Sequence, residues 1–235
     1  MKNFFFLFFT GVIFVACELP DNRGTKTAEQ KPAAALQDST EKHDPALMNN
    51  FIGTIRGDVK TSYADVEADT FPSIKKLHNW LPDDEYMHKS TEAKHNNSPR
   101  TKEENHNVFL EDVWIFGVKR EDDNDFHLII GSSKSMKKEQ PLMTAEISGL
   151  PDSSSPYFSV LADVRNKLLQ YFGKDSGKEI IFVASDKHPP IHLDYIGGSL
   201  FFDNHHYDGH SKIENYKVCS AWEIHPVTKI QFHQE

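Results

Sequence analysis

The spacing of apolar residues changes several times along the chain, and each change predicts a different kind of element. Phe4 to Val15 is almost wholly apolar. Residues 18 to about 50 carry almost no periodic apolar pattern and are rich in Lys, Glu, Asp, Pro and Ala. Such sequence buries too little surface to offset its chain entropy and reads as a flexible tether. In the next stretch, Ile74, Leu77 and Leu81 fall three and four residues apart, which predicts a short helix before Pro82. Residues 83–106 are charged and polar and read as an exposed loop. The strong pattern begins at Val108.

Val108 through Lys119 reads as one long strand carrying Trp114 and Phe116. Glu121 to Asp125 is a turn, because short acidic and amide side chains tolerate turn geometry. Phe126 to Ile130 alternates with a period of two, putting Phe126, Leu128 and Ile130 on one face and His127 on the other. Leu142 to Ile147 does the same, with Met143, Ala145 and Ile147 opposite Thr144 and Glu146. Ser153 to Pro156 supplies helix-start residues, and Tyr157, Leu161, Val164, Leu168 and Phe172 then fall at helical spacing, with Gly173 placed to end the helix. Glu179–Ala184, Leu193–Phe202 and Ala221–Phe232 predict later strands. The expected class is mostly β with one main helix. Three strands in a meander, a helix and further strands follow the order of an OB-like closed β-barrel. An α+β sandwich would use the same elements. Gly197-Gly198 inside a strand reads as a bulge or barrel corner and favours the closed form.

The N-terminus changes the picture from fold to location. Met1-Lys2-Asn3 is a short basic start to the apolar run, and Phe14-Val15-Ala16-Cys17 reads as a lipobox. The expected organisation is a lipoprotein signal peptide over residues 1–16, a lipidated Cys17 with its tether over 17–50, and a single domain with an N-terminal extension over 51–235. An ordinary signal peptide cut near Ala16 is the alternative. The expected location is the bacterial cell envelope, with a membrane as partner through the lipid alone. Net charge is −9, which argues against wholesale binding of nucleic acid, since a phosphate backbone needs a basic field. With Cys17 lipidated, Cys219 would have no intramolecular partner, so the domain is not a disulfide scaffold.

The candidate chemistry lies on the strands. Asp125 and His127 share a face by the period of two, as do Glu223 and His225, and Glu146 sits opposite the apolar face of its strand. If those faces coincide, two imidazoles and three carboxylates converge, with Asp203 and His206 joining from a loop. Such a group suits a divalent metal or an acid–base pair. Equally, it suits a polar network that fixes strand register. Lys60 is the one candidate clamp for a phosphate. The acidic turn lacks the Gly and terminal Glu of an EF-hand, and the His205–His210 stretch is a weaker zinc candidate. No Gly-rich phosphate loop, G-x-S-x-G or Cys-x-x-Cys motif occurs.

Several separated motifs also carry a resemblance. Glu121 to Leu128 is an acidic turn running into D-x-H-L; Ala145-Glu146-Ile147 precedes Pro151; Phe201-Phe202-Asp203 leads to His206; Glu223-Ile224-His225-Pro226-Val227 ends the series. Upstream stand Val59-Lys60-Thr61 and Asp65. In this order the motifs resemble a family of secreted bacterial proteins with no established activity, over roughly residues 55–232. The resemblance implies an OB-like fold with a distant likeness to the staphylococcal-nuclease version, which carries no function by itself. Relatives often carry a cysteine shortly after the A-E-I segment, and residues 153–156 here have none. Two functions remain open from sequence: a non-enzymatic envelope module binding a saccharide, peptide or extended polymer, and a metal-assisted hydrolase of phosphodiesterase or nuclease type.

Overall fold

The computed structural model describes residues 49–90, 98–136, 140–204, 207, 213 and 216–234. The chain divides into residues 1–41 and 42–235, and every described residue lies in the second unit. Cys17, the signal segment, most of the tether, His205 and His206 fall outside the described residues.

The elements in chain order are α1 (Gly57–Lys60), β1 (Ala68–Phe71), α2 (Ile74–Trp80), α3 (Asp84–Lys89), β2 (Asn107–Arg120), β3 (Phe126–Gly131), β4 (Leu142–Ile147), α4 (Phe158–Phe172), β5 (Ile180–Val183), β6 (Ile191–Phe202) and β7 (Trp222–Phe232). A 3-10 turn over Gly173–Gly177 follows α4. Strands β2, β3, β4, β7 and β6 hydrogen-bond in that cyclic order, and β6 returns to β2, so the sheet closes. All contacts round the ring are antiparallel except β4 with β7, which pair in parallel at Thr144–Glu223 and Ala145–Ile224. The fold is an OB-like closed β-barrel of five strands, with its main helix between the third and fourth barrel strands.

Strand β2 is long enough to serve four neighbours. Before Glu111 it lies between β6 and β1; beyond Ile115 it lies between β3 and β5. Its core-facing parity changes on the way. Val108 and Leu110 join the main core, and then Val113 and Ile115 do. The switch falls at Asp112, whose φ of 52° puts it in the left-handed region that short acidic side chains tolerate. Asn124 does the same work in the β2–β3 turn, with φ of 73°. The main core fills the barrel with Leu128, Ile130, Ala145, Ile196, Ile224 and their neighbours. Val164 and Leu168 of α4 and Ile74, Leu77, Leu81 and Met87 of the α2–α3 region join it.

Two sequence expectations need correction. Residues 83–106 are not simply an exposed loop. Asp83 caps α3 by accepting from the Glu85 and Tyr86 amides, and Thr101 and Glu104 are buried. The tether assignment also runs two residues too far. The Leu150 amide donates to the Asn49 carbonyl at 2.6 Å, and Asn50 bridges to Leu150, so the fold already includes both.

Gly198 lets β6 and β7 approach at the barrel corner, where their register shifts. A Cβ there would lie 2.2 Å from the Pro226 carbonyl oxygen and 2.8 Å from the Val227 Cα. Backbone cannot yield as a flexible side chain can, so Gly198→Ala is expected to cost about 1–3 kcal/mol or more. The denaturant midpoint reads this directly; a midpoint equal to that of the parent would show that the two strands separate at no cost.

Candidate functional site

The alternation of β3, β4 and β7 fixes where the polar residues go. Leu128, Ala145 and Ile224 point into the barrel core, so His127, Glu146, Glu223 and His225 occupy the opposite, outer face. Register then brings them together: His127 pairs with Glu146 across β3–β4, and Glu223 sits beside Thr144 across β4–β7. An outer face would ordinarily be wet. Here Asp125, His127 and His225 have no exposed surface, and Glu146 and Glu223 are each 1% exposed.

The cover is the N-terminal segment. Lys60, at the end of α1, places its Nζ 3.2 Å from Asp123 Oδ2 and 3.7 Å from Asp125 Oδ2. Its backbone carbonyl accepts a hydrogen bond from the Ser148 hydroxyl. Arg56 stands over the ring of Phe201, which packs on His225 at 5.3 Å between centroids. Gly149 permits the close approach, since a Cβ there would meet the backbone N and Cα of Phe51 at 2.7 and 2.6 Å. Arg165 of α4 reaches across to the Ser148 carbonyl and to Asn49 Oδ1.

The centre of the cluster is a bridge through Glu146. His127 Nδ1 donates to Oε1 at 2.8 Å, and His225 Nδ1 lies 2.9 Å from Oε2. His225 Nε2 donates to Ser148 Oγ at 3.0 Å and lies 3.3 Å from Asp125 Oδ2. Asp125 Oδ1 accepts from the Gly149 amide at 2.7 Å. Both nitrogens of His225 therefore face oxygens, an arrangement that favours the imidazolium.

The electrostatics agree. Burial alone would lower the His225 value, but Glu146, with Asp125 and Glu223 in support, holds it well above the ordinary 6.5. Burial would raise Glu146, yet His225, His127 and Lys60 bring it well below 4.5. Burial raises Asp125, with the His225 contact opposing. Lys60 is likewise raised: burial opposes its charge, and the carboxylates of Glu146, Asp125, Asp123 and Glu223 outweigh that.

One ligand atom from each of Asp125, Glu146 and His225 lies within 4.8 Å of the others, a donor set that a divalent ion accepts. Ligation needs an imidazole lone pair, so an ion held here would require His225 to give up a proton.

Of the sequence candidates, Lys60, Asp125, His127, Glu146, Glu223 and His225 converge. Lys60 faces carboxylates rather than an open phosphate site. Asp203 is buried, and its amide donates to the Ala221 carbonyl at the start of β7. Cys219 has burial pushing its thiol up to about 11, which makes it a poor nucleophile. The sequence reading missed a second ion pair. Arg56 Nη1 and Nη2 grip Glu104 at 2.7 and 2.6 Å, and Glu104 also accepts from the Thr101 and Phe202 amides. Only the four-residue run Arg100 to Glu103 in a polar stretch preceded it, which gives no local signal for a buried carboxylate. No protein-family model matches the chain. No curated protein and no solved structure matches it either.

Because folding raises His225, its stabilisation is complete below 6.5 and is lost as pH climbs through the folded-state value. Because folding lowers Glu146, its stabilisation is complete above 4.5 and is lost as pH falls through the folded-state value. Asp125, raised on folding, also costs stability as pH climbs. The cluster's contribution is therefore expected to be full between 4.5 and 6.5 for the Glu146–His225 pair and to fall above that window. His225→Gln is expected to cost roughly 3–5 kcal/mol, as breaking a buried ion pair does, and to flatten the alkaline fall. Urea melts of parent and variant across the pH range check this; an unchanged alkaline slope in the variant would remove His225 as the buried cation.

Proposed function

We propose that this protein is a non-enzymatic binding module of the bacterial cell envelope, held to a membrane by lipid on Cys17. The observation that carries the non-enzymatic reading is the burial of the cluster. Every carboxyl and imidazole group in it is at most 1% exposed, so no reacting atom meets a substrate. The lipobox and the resemblance to secreted bacterial proteins support the location. Among the described residues, no helix is long and apolar enough to cross a membrane.

OB barrels commonly bind on the outer face of their second and third strands. Those strands are β3 and β4, and their outer face is occupied by the chain's own residues, Ile213 with Val218 around Ile129 and residues 49–64 near Asp125 and Ser148. Binding is therefore assigned to the clefts beside that segment. The larger is a cleft of about 670 Å³ lined by Asn50, Phe51, Gly53, Gly57, Asp58, Thr61, Leu150, Pro151, Asp152, Ser153 and Phe158. It offers two aromatic rings among amides, hydroxyls and two carboxylates, and no cation. The adjoining cleft, about 540 Å³, is lined by Arg56 and Arg100. Both are engaged, Arg56 with Glu104 and Arg100 with the Val59, Ser62, Glu104 and Leu200 carbonyls. Rings beside hydroxyl and carboxylate acceptors suit a neutral, hydroxyl-rich polymer such as an oligosaccharide better than a phosphate chain.

A metal-assisted hydrolase is the second reading, favoured by the convergence of Asp125, Glu146 and His225 within 4.8 Å. It requires His225 to lose its proton and residues 49–64 to move aside. Metal analysis of the purified protein tests it: a stoichiometric divalent ion lost in His225→Ala would favour the hydrolase.

For the binding module, calorimetric titration with a panel of envelope polysaccharides is the direct measurement. Phe158→Ala and Asp58→Ala are expected to weaken the best ligand about tenfold, in line with loss of an aromatic contact or a charge-assisted hydrogen bond. Thermal stability should change little, because Asp58 is exposed and Phe158 only half-buried. Full affinity in both variants, or no binding by any polysaccharide, would overturn the assignment.

A further inference from the structure

A second group of imidazoles and carboxylates lies on the barrel's outer surface, away from the buried cluster. His192 and Asp194 are alternate residues of β6, so their side chains share a face. His233 follows β7, and its amide donates to the His192 carbonyl at 3.1 Å. That bond fixes the two residues on neighbouring backbone, and their rings lie 4.5 Å apart between centroids. His233 Nδ1 is 2.6 Å from Asp194 Oδ1. His192 Nε2 is 3.1 Å from Asp112 Oδ1 of β2. One ligand atom from each of His192, Asp194 and His233 lies within 4.8 Å of the others.

We propose that these three residues form a surface site for a zinc ion, with Asp112 held against His192 from outside the donor set. Two imidazole nitrogens with carboxylate oxygens are a borderline donor set that zinc accepts in tetrahedral geometry. Donors round one zinc ion stand about 3.4 Å apart, given ligand distances near 2.1 Å. The three ligand atoms already lie within 4.8 Å of one another. The groups are not consumed by burial: His192 is half-buried, and Asp112, Asp194 and His233 are exposed. Trp114 stacks on the His192 ring at 4.4 Å with 11° between planes, which orients the imidazole before any ion arrives.

The contrast with the buried cluster is chemical. There the imidazole of His225 is held between acceptors on both nitrogens. Here His192 and His233 each face a carboxylate through one nitrogen, and zinc displaces the proton held in that contact to solvent. The bound ion would join the end of β7 to β6, whose pairing with β2 closes the barrel. The site is independent of the saccharide reading and stands or falls without it.

The experiment is calorimetric titration of the full chain, purified without a His tag, with zinc chloride, together with copper(II) quenching of tryptophan fluorescence. The expected result is one ion per chain, with quenching through the indole of Trp114. His192→Ala/His233→Ala is expected to weaken binding by at least about tenfold, as loss of zinc ligands does. His233→Ala alone is the safer variant, since its ring is exposed and lies beyond the last strand. His205→Ala/His206→Ala/His210→Ala should bind as the parent does. Absence of stoichiometric binding overturns the proposal, as does parent-like affinity in the His192/His233 variants. Loss of the ion in the 205/206/210 variant would place it on that histidine-rich stretch instead and equally overturn the site.

Discussion

The ion pair of His225 with Glu146 sets the condition that the rest of the molecule meets. Five ionisable side chains on one outer sheet face are a heavy cost in a dry environment unless each charge finds an opposite one. The strands supply most of the acids, and His225 supplies one cation. The other comes from outside the barrel, as Lys60 on α1. Residues 49–64 are thus an integral layer of the domain. Their cations are held by the barrel, and the barrel's carboxylates are held by them. Arg56 on Glu104 and Arg165 on Asn49 and Ser148 fasten the same layer from two further sides.

That layer also decides which surfaces remain for binding. An open β3–β4 face would have been the natural groove of an OB barrel. With the face closed, two accessible clefts form among the described residues where residues 50–62 meet the start of α4 and the stretch around Arg100. The same residue types at His192, Asp194 and His233 stand in a different setting, half-buried or exposed on the barrel's outer surface. Burial, more than the identity of the side chains, distinguishes the two groups.

Much of the barrel was legible in the sequence because its strands alternate cleanly. The long strand from residue 108, the strands around His127 and Glu146 and the helix after Pro156 follow from periods of two and 3.6, while the order of elements suggested the closed barrel and left a sandwich open. Gly197-Gly198 marked the corner where β6 and β7 shift register. The direction of the polar face was not legible. Every residue of β3 is buried, so alternation shows which residues share a face without showing which face lines the barrel. The parity switch at Asp112 was hidden for a related reason, since nothing in the side chains of β2 announces a left-handed residue. Arg56 with Glu104 joins residues 48 positions apart, and such a pair leaves no trace in local spacing.

A buried network of this kind rarely stabilises a fold more than apolar residues of equal volume would. Its physical consequence is directional. An apolar outer face on β3, β4 and β7 would accept an apolar segment in many poses of similar energy. The observed face accepts only a segment that brings a cation to Asp123 and Asp125 and a carbonyl to Ser148. Lys60 meets both requirements with one residue, its Nζ toward the carboxylates and its backbone oxygen toward the hydroxyl. Moving that segment by a single residue would withdraw the amine and the carbonyl together, leaving Asp123 and Asp125 without that cation and the Ser148 hydroxyl without its acceptor. The network therefore fixes where the N-terminal layer sits on the barrel, and with it the shape of the clefts on either side.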